Sequence, residues 1–272
     1  MSDYGLLSQV SGIEKTRDTG MERHYPPTVV FSWLRAGWRD LFTQPASSFA
    51  YGILVFAVSA IVVYSMFAFS WDFVLFPALS GFLIVAPVLA VGLYEKSRAL
   101  EAGERTSLDS MLLTRAKSGA QVIFAGLLLM LLAMVWMRAA VLLYALFFGY
   151  RAFPGFDHML ALLLSTYEGW GLLVTGTLVG GLFAALGFAI SAFSIPMLLA
   201  ERTDAFTAMG LSMKLVWNNL TVMITWGAVV LLLLAVSMLT GLVGLILVFP
   251  LLGHATWHAY KAIWVNEPAE QR

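Results

Sequence analysis

The chain has no cysteine, few charges and few histidines, and each shortage removes a class of function. Without cysteine there is no disulfide framework, no thiolate metal site and no iron–sulfur cluster. Only 12% of its 272 residues are charged, against about a quarter in an ordinary soluble domain. With 60% hydrophobic residues and a mean hydropathy of +0.83, too little polar surface remains to face water, so lipid is the expected solvent. The net charge is zero, and nothing in it points to nucleic acid. There is no phosphate-binding glycine loop, no Gly-x-Ser-x-Gly elbow, no His-Glu-x-x-His and no dense carboxylate set. Enzyme activity is therefore not expected. The first 27 residues are polar and of mixed charge, without the basic-then-apolar layout of a signal peptide. The first membrane helix is expected to direct insertion and to be retained.

A helix needs about 20 apolar residues to cross the hydrocarbon core. Six stretches meet that length: 49–70, 73–94, 119–138 with a continuation to 148 left open, 173–199, 220–240 and 242–261. The joints "FSWDF" around Asp72 and "LTGLVG" around Gly241 are short enough for tight turns. The expected fold is all-α, a six-span bundle of three hairpins over residues 31–263. A disordered segment (1–30) precedes it and a tail (264–272) follows. Of the 16 Lys and Arg residues, 14 fall on one side of this layout. That side is expected to be cytoplasmic and to hold both termini.

Before the first span, Phe31, Leu34, Trp38, Leu41 and Phe42 recur at helical spacing in "FSWLRAGWRDLF". An interfacial amphipathic helix is expected there, with Arg35, Arg39 and Asp40 turned away from the apolar face. "MLLTRAKSGA" and "AFTAMGLSMKLVWNN" are weaker versions before the third and fifth spans. A Pro-x-Leu tripeptide marks each even span at Pro87, Pro196 and Pro250, the outline of a threefold repeat. Such prolines kink helices and could frame a vestibule.

"FPLLGHATWHAYKA" places His254 and His258 one helical turn apart. If spans two and six pack together, Tyr94, Glu95 and Arg98 meet His254, Trp257, His258 and Lys261 at one depth as a polar cluster. His254 and His258 share a helix face and could ligate one metal ion. A haem between them is disfavoured, because two axial imidazoles must approach opposite faces of the ring. Equally, these are amphipathic groups resting at headgroup level. Arg138 is the one charge inside an apolar span, with Asp72 as its candidate partner; alternatively Trp136 and Arg138 anchor the outer interface, and "AAVLLYALFFGY" lies on the surface. Met130, Met134 and Met137 make a thioether ladder that packing explains as well as copper does. Gly176, Gly180, Ala184, Gly187 and Ser191 permit close helix contact within the bundle or at a homodimer seam.

"WLRAGWRDLFTQPASSFAYG", "APVLAVGLYEKSR", "FAISAFSIPMLL" and "PLLGHATWHAYK" together resemble an uncharacterised bacterial integral-membrane family. Some of its members carry the label cytochrome c oxidase subunit I. The resemblance implies an inner-membrane protein and brings no known site residues. With four histidines, this chain cannot supply the six histidine ligands of a haem–copper catalytic subunit. The first functional expectation is a small permease or channel-like transporter. The second is a non-catalytic accessory or assembly subunit of a respiratory complex, with the bilayer, a second copy or a membrane complex as partner.

Overall fold

The computed structural model describes residue 22 and residues 24–114, 116–149 and 153–265. Every regular element among them is helical. The segments 1–30 and 264–272 lie largely outside the described residues, and the first helix already begins at Val29. The chain runs through α1 (Val29–Phe42) into α2 (Pro45–Ala68). It returns through α3 (Leu75–Leu89) and α4 (Val91–Glu101). A short α5 (Leu108–Leu112) precedes α6 (Gly119–Phe148). Then α7 (Phe156–Ser165) leads into α8 (Tyr167–Ser191) and α9 (Ser194–Ala200). The chain continues through α10 (Ala205–Asn218), α11 (Leu220–Leu239) and α12 (Leu245–Tyr260), which ends in a π turn to Val265.

Five stretches are long and apolar enough to cross a membrane: Pro45–Ala68, Asp72–Glu101, Gly119–Phe148, Tyr167–Ala200 and Leu220–Leu239. The expected sixth span is α12. Its 16 residues make a helix of about 24 Å, short of a hydrocarbon core of about 30 Å. The outer faces of the long helices stay apolar, as Ile53, Val58 and Ile61 on α2 and Leu231 and Leu232 on α11 illustrate. Apolar faces this extensive on helices of spanning length are those of a protein set in lipid.

The connections are those of hairpins, but the packing partners differ. α2 lies against α12, while α3 packs on α6 and α8. A Cβ on Gly180 would come 2.8 Å from the Trp136 ring, and one on Gly187 would meet Ile84 at 3.1 Å. Gly180 and Gly187 of α8 therefore serve contacts inside the bundle, whereas Gly176 and Gly181 face open space.

Trp136 is not an outer anchor. It is buried, and its indole N–H donates to Pro77 O at 3.1 Å and Ser80 Oγ at 2.8 Å. α6 runs unbroken for 30 residues, about 45 Å, so residues 139–148 continue the helix instead of lying on the surface. α7 folds back on α8, with Met159 and Leu163 clustered around Phe148. Arg138 is exposed, and no ion pair joins it to Asp72 among the described residues. Met130 and Met134 are also exposed, so they form no enclosed thioether site. Of the three prolines, Pro87 precedes the break between α3 and α4 at Ala90, whereas Pro250 sits inside an unbroken α12.

A repeated element is plain in α1 and α10. Val30, Trp33, Gly37, Asp40 and Leu41 are buried on α1; Ala205, Ala208, Ser212, Leu215 and Val216 are buried on α10. The two sets correspond at a constant shift of 175 positions (205 minus 30). Each helix is followed within two residues by a long apolar span. At this end of the molecule α4, α9 and α12 converge, with α1, α5 and α10 packed around them.

Candidate functional site

α4 and α12 run side by side in the same direction. Leu93, Ser97 and Glu101, spaced four apart, form the face of α4 turned to α12. Opposite them stand Gly253, His254, Trp257 and Lys261. A Cβ on Gly253 would come 2.6 Å from Leu93 Cδ1, so glycine is what lets the two helices close.

On this scaffold a largely buried set of polar groups draws on four helices. The Lys96 ammonium donates to Gln44 O at 2.9 Å and Ser48 Oγ at 2.7 Å. Ser48 Oγ lies 2.9 Å from His254 Nε2, and His254 Nδ1 lies 2.8 Å from Ser97 Oγ. A second pair stands beside this series: Asp40 Oδ2 is 2.7 Å from His258 Nε2. An ammonium can only donate, so Ser48 Oγ accepts from Lys96. The directions of the two bonds to His254 follow its tautomer. A carboxylate can only accept, so His258 donates to Asp40. Lys96, Ser48, Ser97 and His254 are all fully buried. Groups that deep are costly to a fold unless satisfied in this way.

Gln44 supports the arrangement from the α1–α2 turn. Its φ of 57° places a non-glycine residue in the left-handed region, at a cost of order 1 kcal/mol. Its carbonyl is held by Lys96, and its side-chain Oε1 accepts from Thr106 N at 3.2 Å. Asp40 also lines a polar cavity of about 190 Å³ with Arg39, Thr43, Leu100 and Glu101.

Burial alone would raise the Asp40 pKa. The hydrogen bond and charge of His258, with help from Ser97 and His254, outweigh it and hold the carboxyl below its usual range. A depressed carboxyl adds stability above its unfolded pKa near 3.9, and that stability is lost as pH falls through the lowered folded value. The thermal midpoint of the purified protein should therefore drop below about pH 4, and Asp40→Asn should lack that acid-dependent limb. An identical pH profile in the variant would contradict the assignment.

The structure brings together most of the expected cluster, with different pairings. His254 and His258 belong to the polar set just described. Trp257 Nε1 and Lys261 Nζ both reach Glu101, at 3.2 Å each. Glu95 and Arg98 bond each other at 2.6 and 2.8 Å on their own helix, and neither has a hydrogen bond or ion pair to α12 among the described residues. Tyr94 is buried, and no hydrogen bond to its hydroxyl is present among the described residues. It lines an apolar cavity of about 80 Å³ between α3, α8, α11 and α12, together with Ala86, Pro87, Ser191, Trp226 and Thr256. Beyond the cluster, Glu201 Oε1 accepts from Tyr260 OH at 2.8 Å and Trp264 Nε1 at 2.6 Å, tying α9 to α12. The pattern of spans did not single out Asp40, Ser48, Lys96, Ser97, Glu101 or Glu201. The four-residue spacing of Leu93, Ser97 and Glu101 was the available signal for three partners on α4.

A metal between His254 and His258 does not fit this geometry. Both His254 nitrogens are occupied by serines, and His258 Nε2 is held by Asp40. Among the described residues no group of three or more His, Cys, Asp or Glu side chains converges. Ser48, although placed between a lysine and a histidine, lines neither of these two cavities.

A model described as "Predicted integral membrane protein (DUF2189)" matches residues 75–200, from the first residue of α3 to the last of α9. Residues 75–200 match an uncharacterised membrane family. The sequence resemblance is met there, and the protein is an integral multi-pass membrane protein. No curated protein and no solved structure matches the chain. The DUF2189 segment holds Tyr94, Lys96, Ser97 and Glu101, while Asp40, Ser48, His254 and His258 come from helices on either side of it. The polar set is thus assembled only when α1, α2 and α12 close on the matched helices.

Proposed function

We propose that the protein is a small permease of a bacterial inner membrane, without enzymatic activity and with both termini cytoplasmic. The observation that carries the reading is the apolar gap where α3, α8, α11 and α12 surround Pro87, Tyr94 and Thr256. It lies inside the membrane region, beside a helix broken after Pro87, and a tyrosine hydroxyl with no hydrogen bond among the described residues is the sort of group that a passing solute would engage. The buried polar set closes the bundle at the basic end. The Lys and Arg distribution supports a cytoplasmic assignment for that end. The alternative of a respiratory accessory subunit drew on a metal or haem at His254 and His258. The bonds made by those rings give it no support.

Reconstituted vesicles under an imposed proton gradient would be offered radiolabelled amino acids, sugars, organic anions and organic cations. Uptake of at least one class above empty vesicles is expected. Ala86→Trp, which fills the gap, should reduce it at least about tenfold while the protein stays monodisperse. Wild-type vesicles indistinguishable from empty ones across the panel would remove the permease reading, and equal uptake by Ala86→Trp would remove the gap as its route.

A further inference from the structure

The exposed faces of α1 and α10 repeat as closely as the buried ones. Phe31, Ser32, Trp38, Arg39 and Phe42 are exposed on α1. Their counterparts at the same shift of 175 are Phe206, Thr207, Met213, Lys214 and Trp217, all exposed on α10. Arg35 is exposed too, opposite Gly210. Large apolar groups are unusually bare here: Phe31 is 61% exposed, Phe206 66% and Trp217 76%. Each face therefore combines bulky apolar groups, a hydroxyl and a cation, a combination that suits neither bulk water nor the hydrocarbon interior.

The aromatic faces are continuous with the outer surfaces of the spans. Trp38 packs on Phe42 at 4.8 Å between centroids, and Phe42 on Phe49 of α2 at 6.0 Å. Phe206 meets Phe124 of α6 edge-on at 5.5 Å. Phe124 is itself exposed, on a helix apolar enough to cross the bilayer. The surface that meets lipid on α2 and α6 thus runs without interruption onto α1 and α10. Arg35 and Lys214 have no carboxylate within ion-pair reach among the described residues. Asp40 is buried under α1, and Asp204 is engaged as the N-cap of α10 through Thr207 N.

We propose that α1 and α10 form a collar in the headgroup layer of a single leaflet, and that this collar binds anionic lipid. Phe31, Trp38, Phe42, Phe206, Met213 and Trp217 enter the acyl boundary, and Arg35, Arg39 and Lys214 meet the phosphates. Aromatic residues favour that depth, and each cation near an anionic surface strengthens binding by about fivefold. The inference does not depend on the permease reading, because it concerns the outer face and not the gap.

Two measurements test it in nanodiscs. The first is quenching of tryptophan emission by brominated lipid, comparing wild type with Trp38→Phe/Trp217→Phe. The difference between the two should be strongly quenched. Its absence would show that the face is covered by protein, a second copy or a partner, and would overturn the proposal. The second is the preference for spin-labelled phosphatidylglycerol over phosphatidylcholine. Arg35→Gln/Lys214→Gln should lose about twenty-five-fold of that preference, at about fivefold per cation, and about 1 M salt, with its screening length of about three ångströms, should suppress it in wild type. These substitutions touch only exposed groups, so folding is preserved. An unchanged preference would remove the anionic lipid from the proposal.

Discussion

Asp40→Leu should lower the stability of the detergent-solubilised protein by about 3–5 kcal/mol, the usual cost of stripping one member from a buried charge network. Asp40 accepts from His258 at 2.7 Å, and its charge faces the buried Lys96 ammonium and His254. Without it, His258 loses its acceptor, and the Lys96 ammonium is left in a buried site with no compensating charge. Lys96→Met alone should also destabilise, because it frees Gln44 O and leaves a positive-φ residue unsupported. The combination Asp40→Leu/Lys96→Met removes both charges together. Replacing a buried ion pair by apolar groups is often near neutral, so the double variant should be clearly less destabilised than the sum of the singles. A coupling energy of about 1–3 kcal/mol is expected from the cycle. The measurement is the temperature at which half the protein remains monodisperse after heating. Strict additivity would mean that the two charges do not share one network.

Gly52→Val should be comparably damaging by a different route. A Cβ at Gly52 would lie 2.2 Å from the carbonyl oxygen of Ile246 and 2.9 Å from Pro250 Cγ. The first neighbour is backbone and cannot rotate away, so α2 must separate from α12. Overpacking ordinarily costs about 1–3 kcal/mol. A forced separation should reach or pass the upper end, because Ser48 and His254 are bonded across this same interface. Gly176→Ala is the matched control. Nothing lies within 4 Å of a Cβ there, and exchanging a mid-helix glycine for alanine gains about 0.5–1 kcal/mol. If the two variants proved equally stable, the close approach of α2 and α12 would be wrong.

The polar site shows where residue patterns stop being informative. The spacing of His254, Trp257, His258 and Lys261 correctly brings the end of α12 beside α4. Which residues of α4 answer them depends on helix rotation, and one position along a helix turns a side chain by about 100°. Glu95 and Arg98 are the conspicuous charges, yet that rotation directs Ser97 and Glu101 to α12 and leaves Glu95 and Arg98 to pair with each other. Asp40 was misplaced for a related reason. On α1 it appears to share a polar face with Arg35 and Arg39, until Gly37 is recognised as the centre of the buried face. A Cβ there would press on Ala255 N at 2.7 Å. Glycine contributes nothing to an apolar pattern, so the face it creates cannot be seen in one.

Composition by itself determined that lipid is the solvent, and apolar run lengths located the long helices, because the cost of exposing backbone polar groups in hydrocarbon leaves a chain few other choices. The helix ahead of the first span was also legible, since its aromatic and basic residues recur with the helical period. The tertiary structure alone decided that α2 pairs with α12, that α6 continues past Arg138, and that two serines, a lysine, an aspartate and two histidines are brought together. The first and last of these depend on close backbone approach at Gly37, Gly52 and Gly253. Such contacts are made between segments about 160 to 218 residues apart, and no local pattern in the chain encodes them.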